Sequence, residues 1–246
     1  MECFIVGEDD VFASDKYLVL RGDEAHHAVK SLRIRQGETI LATTLGGICY
    51  RAMLRSVEES KREITIRCEI TETLAEHNEP SLDVVLLQAV LNQQSKFEEI
   101  VERCTEIGIS GFVPVSSARV ERPVIKRERI ERILRSACKQ AQRARIPSFG
   151  ELVTIETALE HAKDQKRAIV VLHEGIAKEI SLKYVLDKVS GKRIAIVIGP
   201  EGGFTEEEVS ISQEAFGATA ASLGPRRLHA ETAAITASAI TLSFDR

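Results

Sequence analysis

The chain has 246 residues, 43% of them apolar and 28% charged, with a formal net charge of −4. These values exclude a disordered, fibrous or strongly cationic chain and fit one large or two ordinary globular domains. The five cysteines (Cys3, Cys49, Cys68, Cys104 and Cys138) are odd in number and form no C-x-x-C pair, so reduced core thiols are expected rather than a disulfide framework or a metal site. The longest apolar runs, "VVLLQAVL" (84–91) and "IAIVIG" (194–199), are far shorter than the roughly 20 residues that span a bilayer. "MECFIVGEDD" (1–10) lacks the basic start and long apolar stretch of a signal peptide. A cytoplasmic protein without a membrane partner is expected.

In chain order, the first seventy residues read as strands around one short helix. "DEAHHAVKSLR" (23–33) has helical spacing at Ala25, Val29 and Leu32, with Asp23 as its N-cap. "ETILATTLGGICYRAML" (38–54) is two strand-like runs about Gly46-Gly47, a hairpin signal. "REITIRCEI" (62–70) alternates, with Ile64, Ile66, Cys68 and Ile70 on one face. Together these predict a small β-barrel over residues 1–72. "TLAEHNEPS" (73–81) is polar, carries Pro80 and reads as a linker.

From residue 82 the period changes. "LDVVLLQAV" (82–90) suits a parallel strand buried on both faces. "SKFEEIVERCTEIG" (95–108) is an amphipathic helix ending at Gly108. A strand at 112–115, a basic helix at 126–143, and strands at 168–172 and 193–199 with a helix between them follow. Thr205 and Glu208 form a capping box for a helix reaching about Phe216, before a last strand at 218–224 and a last helix at 231–244. Strands alternating with helices predict a three-layer α/β domain with a mostly parallel sheet over 82–246.

Charge is unevenly placed. Residues 119–145 hold ten Lys/Arg and three Glu, a local +7, whereas 201–214 hold five Glu and no base. The basic stretch reads either as a polyanion footprint or as a solvated helix face laced with pairs such as Glu128–Arg132 and Glu131–Arg135. An excess of seven is more than pairing within the stretch can absorb.

Three strand ends carry chemistry. "VIGPEGGFTEEE" (197–208) is a glycine turn after a strand, but it is neither G-x-G-x-x-G nor a P-loop, and Glu201 opposes a phosphate. A nucleotide-hydrolysing site is therefore disfavoured, and a neutral or cationic ligand held by backbone groups is favoured. "SLGPRRLHAETAA" (222–234) places Arg226, Arg227, His229 and Glu231 before a helix rich in small residues. "VVLHEG" (170–175) ends a third buried strand in His173 and Glu174, and three such ends suggest one shared pocket.

"IGPEGGFTEEE" (198–208) with "LGPRRLHAETAA" (223–234) resembles the RsmE-type ribosomal RNA methyltransferases of the SPOUT superfamily. Supporting stretches are "HHAVKSLRIRQGE" (26–38), "KFEEIVERCTEIGI" (96–109), "RVERP" (119–123), "ACKQAQRARIP" (137–147) and "LHE" (172–174), so the likeness runs nearly the full length. It implies a SPOUT-type α/β domain with a C-terminal trefoil knot, a preceding PUA-like RNA-binding barrel, and a homodimer. It further implies methylation of uridine N3 in 16S ribosomal RNA of the small subunit from S-adenosylmethionine. The cofactor is then held at Leu172, His173, Glu174, Ile198, Gly199, Pro200, Gly202, Gly203, Leu223, Gly224, Leu228 and Thr232. Arg226 is the cation for the uracil anion, with Glu231, His229 or solvent as proton acceptor. Arg33, Arg35, Arg119, Arg122, Arg143 and Arg145 are the expected RNA phosphate contacts. His229 and Ala230 stand where the family has an arginine and a threonine or valine, and Arg103 where a lysine is frequent. A histidine at 229 carries its charge only part of the time near neutral pH. The competing reading is a non-catalytic RNA-binding assembly factor with a relict cofactor pocket.

Overall fold

The computed structural model describes residues 1–14, 16–60, 63–120 and 124–245. The chain divides into two compact units, Met1–Glu79 with Cys138–Ile146, and Pro80–Ala137 with Pro147–Arg246.

The first unit is built on a six-stranded sheet. Its strands are β1 (Cys3–Ile5), β2 (Val11–Phe12), β3 (Tyr17–Leu20), β4 (Thr39–Thr43), β5 (Ile48–Glu59) and β6 (Ile64–Ala75), in the order β1-β4-β5-β6-β3-β2. All pairs are antiparallel except β1 with β4. Gly46 and Gly47 turn β4 into β5, and Gly47 adopts φ +104°, which favours glycine. The alternation of β6 buries Ile64, Ile66 and Cys68 in the core beside Phe4, Leu18, Ile40 and Leu54. The expected helix is split into α1 (Gly22–His26) and a wider turn at His27–Ser31. Its N-cap is Arg21, not Asp23, which lies in the first turn.

The expected boundaries shift in two places. β6 runs through Ala75, so residues 73–75 extend the sheet rather than the linker. Residues 138–146 join the first unit through contacts no periodicity reports. Lys139 lies 2.7 Å from Glu24, Arg143 is buried against Glu79, and Gly47 donates to the Ala144 carbonyl at 2.9 Å.

The second unit holds a parallel sheet of seven strands: β7 (Asp83–Ala89), β8 (Gly111–Ser116), β9 (Ser148–Phe149), β10 (Val153–Thr154), β11 (Ala168–Leu172), β12 (Arg193–Ile198) and β13 (Thr219–Ala221). The order is β10-β8-β7-β12-β11-β13, with β9 also pairing β8. Alternate strand residues face two separate cores. Val84, Leu86, Ile194, Ile196 and Ile198 pack with α2 (Gln94–Ile107), α3 (Arg127–Ala141), α5 (Leu182–Leu186) and α7 (Ala230–Leu242). Leu87, Ala89, Ala195 and Val197 pack with α4 (Ile155–Asp164) and α6 (Glu206–Glu214). Burial on both faces explains why the central strands read as continuous apolar runs.

Local signals set the helix ends. α2 stops at Gly108, where φ is +120° and a Cβ would lie 2.7 Å from Pro80 Cγ. Thr205 and Glu208 form the expected capping box on α6. The helix expected between β11 and β12 is only the five-residue α5, capped by the Ser181 hydroxyl. α4 was not anticipated. Its signal was present in the Thr154 cap and in Ile155, Ala158, Leu159 and Ala162 at helical spacing.

Candidate active site

The carboxyl ends of β11, β12 and β13 converge on one open pocket, the position a parallel sheet offers a ligand. The β11 end contributes Leu172, His173 and Glu174. His173 is fixed by its N–H to the Ala221 carbonyl at 3.2 Å, and its Nδ1 accepts from Gly175 N–H at 3.1 Å.

The β12 end contributes Ile198, Gly199, Pro200, Glu201 and Gly203. Gly203 donates to the Pro200 carbonyl at 2.9 Å with φ +70°, closing the turn. A Cβ on Gly199 would stand 2.9 Å from Phe204 N, so this glycine is required by the turn itself. Glu201, a puzzle in sequence, accepts from the Asn92 backbone N–H at 3.1 Å and so ties this turn to the segment after β7. Glu208 accepts from Thr205 N–H at 2.7 Å and from Ala118 N–H at 2.9 Å, anchoring both α6 and the loop after β8.

The β13 end contributes Ser222, Leu223, Gly224, Arg226, Arg227 and Leu228, with Ala230 and Ala233 of α7 behind them. The Ser222 hydroxyl accepts from Gly224 N–H at 3.1 Å, and Gly224 has φ +110°. Arg227 lies 3.3 Å from Glu174 across the pocket mouth, but both side chains are well exposed and such a pair contributes little. Arg226 forms no ion pair among the described residues.

The structure therefore gathers Leu172, His173, Glu174, Ile198, Gly199, Pro200, Gly203, Leu223, Gly224, Leu228 and Arg226 around one space. Gly202 and Thr232 are not in its lining; Gly202 packs against the Arg119 side chain, and Thr232 is exposed on α7. Glu201 and Arg227, singled out in their turns without a role, line the pocket too, as do Ser222, Ala230 and Ala233, which nothing in the sequence reading placed there. Each lies in or beside a turn already singled out, so adjacency was the available signal.

The other two expected catalytic residues sit elsewhere. His229 is the exposed N-cap residue of α7. Glu231 pairs with Lys96 Nζ at 3.0 Å and is outside the lining. Burial pushes its carboxyl up, but its own backbone N–H, Lys96 and the nearby His229 outweigh burial and hold it below the usual carboxylate range.

The expected RNA contacts separate sharply. Arg33 and Arg35 are exposed on the first unit. Arg119 donates to the Gly202 carbonyl at the pocket turn. Arg122 lies outside the described residues. Arg143 is corrected: its side chain is 2% exposed and is 2.7 Å from Glu79, beyond the reach of a phosphate. Arg145 pairs with Glu76 at 2.6 Å. Arg127 pairs with Glu151 and Arg129 with Glu98, so much of the +7 of residues 119–145 meets carboxylates from outside the stretch.

The strand ends of the parallel sheet thus hold a glycine-lined pocket in which Arg226 has no ion-pair partner among the described residues, an arrangement that suits a ligand approached closely by backbone. Residues 77–242 match the RNA methyltransferase domain, and the chain belongs to that family. It is 32% identical over 227 residues to the ribosomal RNA small subunit methyltransferase E of Bacillus subtilis, covering 89% of this chain and 86% of that one. Its identity to the protein of the same name from Aquifex aeolicus is 31% over 235 residues, covering 92% and 94%. Among solved structures, a probable rRNA-methyltransferase of Porphyromonas gingivalis superposes with a TM-score of 0.80 at 25% identity, covering 100% of this chain and 98% of that one. A Legionella pneumophila protein, solved as a methyltransferase with the bound cofactor SAM, superposes with a TM-score of 0.73 at 25% identity, covering 92% and 91%.

Proposed function

We propose that the protein transfers a methyl group from S-adenosylmethionine to N3 of a specific uridine in 16S ribosomal RNA of the small subunit. The observation that carries this reading is the Arg226 guanidinium, without an ion-pair partner among the described residues, on the wall of a pocket lined by glycine turns and aliphatic groups. The relatives named ribosomal RNA small subunit methyltransferase E support the substrate, and the SAM-bound Legionella neighbour supports the cofactor.

The residues present fit that cofactor. Leu172, Ile198, Leu223 and Leu228 provide an apolar surround, and the tight turn at Gly199 brings backbone to the pocket face. Glu174 and Glu201 add negative charge suited to a cationic ligand. S-adenosylmethionine supplies the sulfonium methyl group. Uracil N3 gives up its proton as it gains the methyl, and charge develops on O2 and O4. Arg226 is the cation that stabilises those oxygens. His229, exposed at the start of α7, or solvent takes the proton. Glu231, paired with Lys96, steadies the start of α7 rather than reaching the base.

We further infer a SPOUT domain with a knotted C-terminus from Pro80 onward and a PUA-like RNA-binding unit before it, working as a homodimer in the cytoplasm. The return of α7 across β7 and β12, after β13 at the sheet edge, supports the knot. No helix among the described residues is long and apolar enough to cross a membrane. Incubation with labelled S-adenosylmethionine and small subunits lacking the mark tests the reaction. Label at one uridine N3 is expected. Binding of subunits without any label transfer supports the non-catalytic assembly factor instead.

A further inference from the structure

We propose that Lys96 is a positioning residue for methyl transfer, acting through Glu231 on the loop that carries Arg226. The inference rests on the methyltransferase reading of the pocket. The segment after β7 and the first turn of α2 touch the turn after β12 and the start of α7 without lining the pocket themselves. At one end the Asn92 backbone N–H donates to Glu201 at 3.1 Å, on the turn after β12. At the other end Lys96 Nζ lies 3.0 Å from Glu231 Oε1, in the first turn of α7. Asn92–Lys96 is thus a bracket spanning two walls of one site.

The Lys96–Glu231 contact is the stronger candidate for a functional link. Its side chains are 28% and 17% exposed, against 71% and 55% for Arg227 and Glu174, so solvent screens it less. Glu231 follows Arg226 on one short stretch of chain that runs into α7 without a break. Holding Glu231 therefore limits how far the Arg226 loop can drift. A guanidinium that must meet charge developing on a base loses effect when misplaced by about 1 Å. The two ends of the bracket also have separate consequences. Lys96 governs the Arg226 loop and hence mainly turnover, whereas Glu201 governs the Gly199–Gly203 turn and hence mainly cofactor affinity.

The test compares wild type, Lys96→Met and Lys96→Arg in kcat on small subunits, S-adenosylmethionine affinity by calorimetry, and Tm. The Met variant should lose on the order of tenfold or more in kcat. Its cofactor affinity should fall by clearly less than its kcat, since Leu223 and Leu228 share the loosened loop while the Gly199–Gly203 turn keeps its place, and its Tm should be nearly unchanged. Lys96→Arg, which keeps the charge, should recover most of the rate. Amide hydrogen exchange reads the bracket without turnover: residues 223–230 should exchange faster in Lys96→Met while 199–203 keep wild-type rates. Unchanged kcat, parallel losses in kcat, Kd and Tm, an Arg variant as slow as the Met variant, or unchanged exchange at 223–230 would each overturn the proposal. A wild type that transfers no methyl defeats the methyltransferase reading, and exchange then decides alone whether Lys96 holds the loop.

Discussion

Arg143 and Glu79 form a buried ion pair, 2.7 Å apart with side chains 2% and 7% exposed, and the same carboxylate accepts the Arg145 backbone N–H at 2.9 Å. The pair joins residue 143 to the end of the first unit's N-terminal stretch, so it serves that unit's stability and not RNA contact. Arg143→Met should lower unfolding free energy by about 3–5 kcal/mol, because it leaves a buried carboxylate without its main partner. Urea unfolding of Arg143→Met, Glu79→Gln and the double variant tests this. A double variant that is additive, with no coupling between the two sites, contradicts it.

Arg226 should matter to chemistry and not to cofactor binding. Arg226→Ala is expected to lower kcat by about 10²–10³, as for loss of one preorganised donor to a developing oxyanion. S-adenosylmethionine affinity should change little by calorimetry. Loss of cofactor binding in this variant assigns Arg226 to the cofactor instead.

Gly199 is constrained by its own turn. A Cβ there would lie 2.9 Å from Phe204 N and 3.1 Å from the Gly203 carbonyl carbon, both of them backbone atoms. The Gly199→Ala turn must open, moving the Pro200–Gly203 wall of the pocket. A fall in S-adenosylmethionine affinity of about tenfold, or about 1.4 kcal/mol, is expected. Wild-type affinity in this variant would show that the β12 turn does not hold the cofactor.

Asp83 links stability to pH. Burial pushes its carboxyl up, but hydrogen bonds from Arg167 and Ser110, the Arg167 charge and Arg193 outweigh burial and hold it below the usual aspartate range. A carboxyl lowered in the folded state stabilises the fold above its unfolded value, and this stabilisation is lost as pH falls through the folded value. Wild type should therefore exceed Asp83→Asn in urea midpoint at pH 7, with the gap narrowing below about pH 4. A gap that does not narrow on acidification places the effect in packing and not in charge.

Much of the fold was legible because its signals are local. The capping box at Thr205 and Glu208, the glycine end of α2 and the hairpin at Gly46-Gly47 depend on residues a few positions apart, and all three form. α4 is equally local, marked by the Thr154 cap, although it is not among the expected elements. Most of the pocket wall was legible for the same reason, since glycine-rich turns after buried strands mark where backbone meets a ligand in a parallel sheet.

By itself, then, the sequence determined the alternation of strands and helices, the change of period near residue 80 and the three turns that make the pocket. Only the tertiary structure decided the fate of the charges. Arg127, Arg143, Arg145 and Lys139 meet carboxylates 24 to 115 positions away, so counting charge within residues 119–145 could not balance them. Glu201 and Glu231 likewise find their partners far along the chain, at Asn92 after β7 and at Lys96 in the first turn of α2. Periodicity and turn chemistry act between near neighbours along the chain, whereas an ion pair forms wherever folding brings opposite charges within a few ångströms.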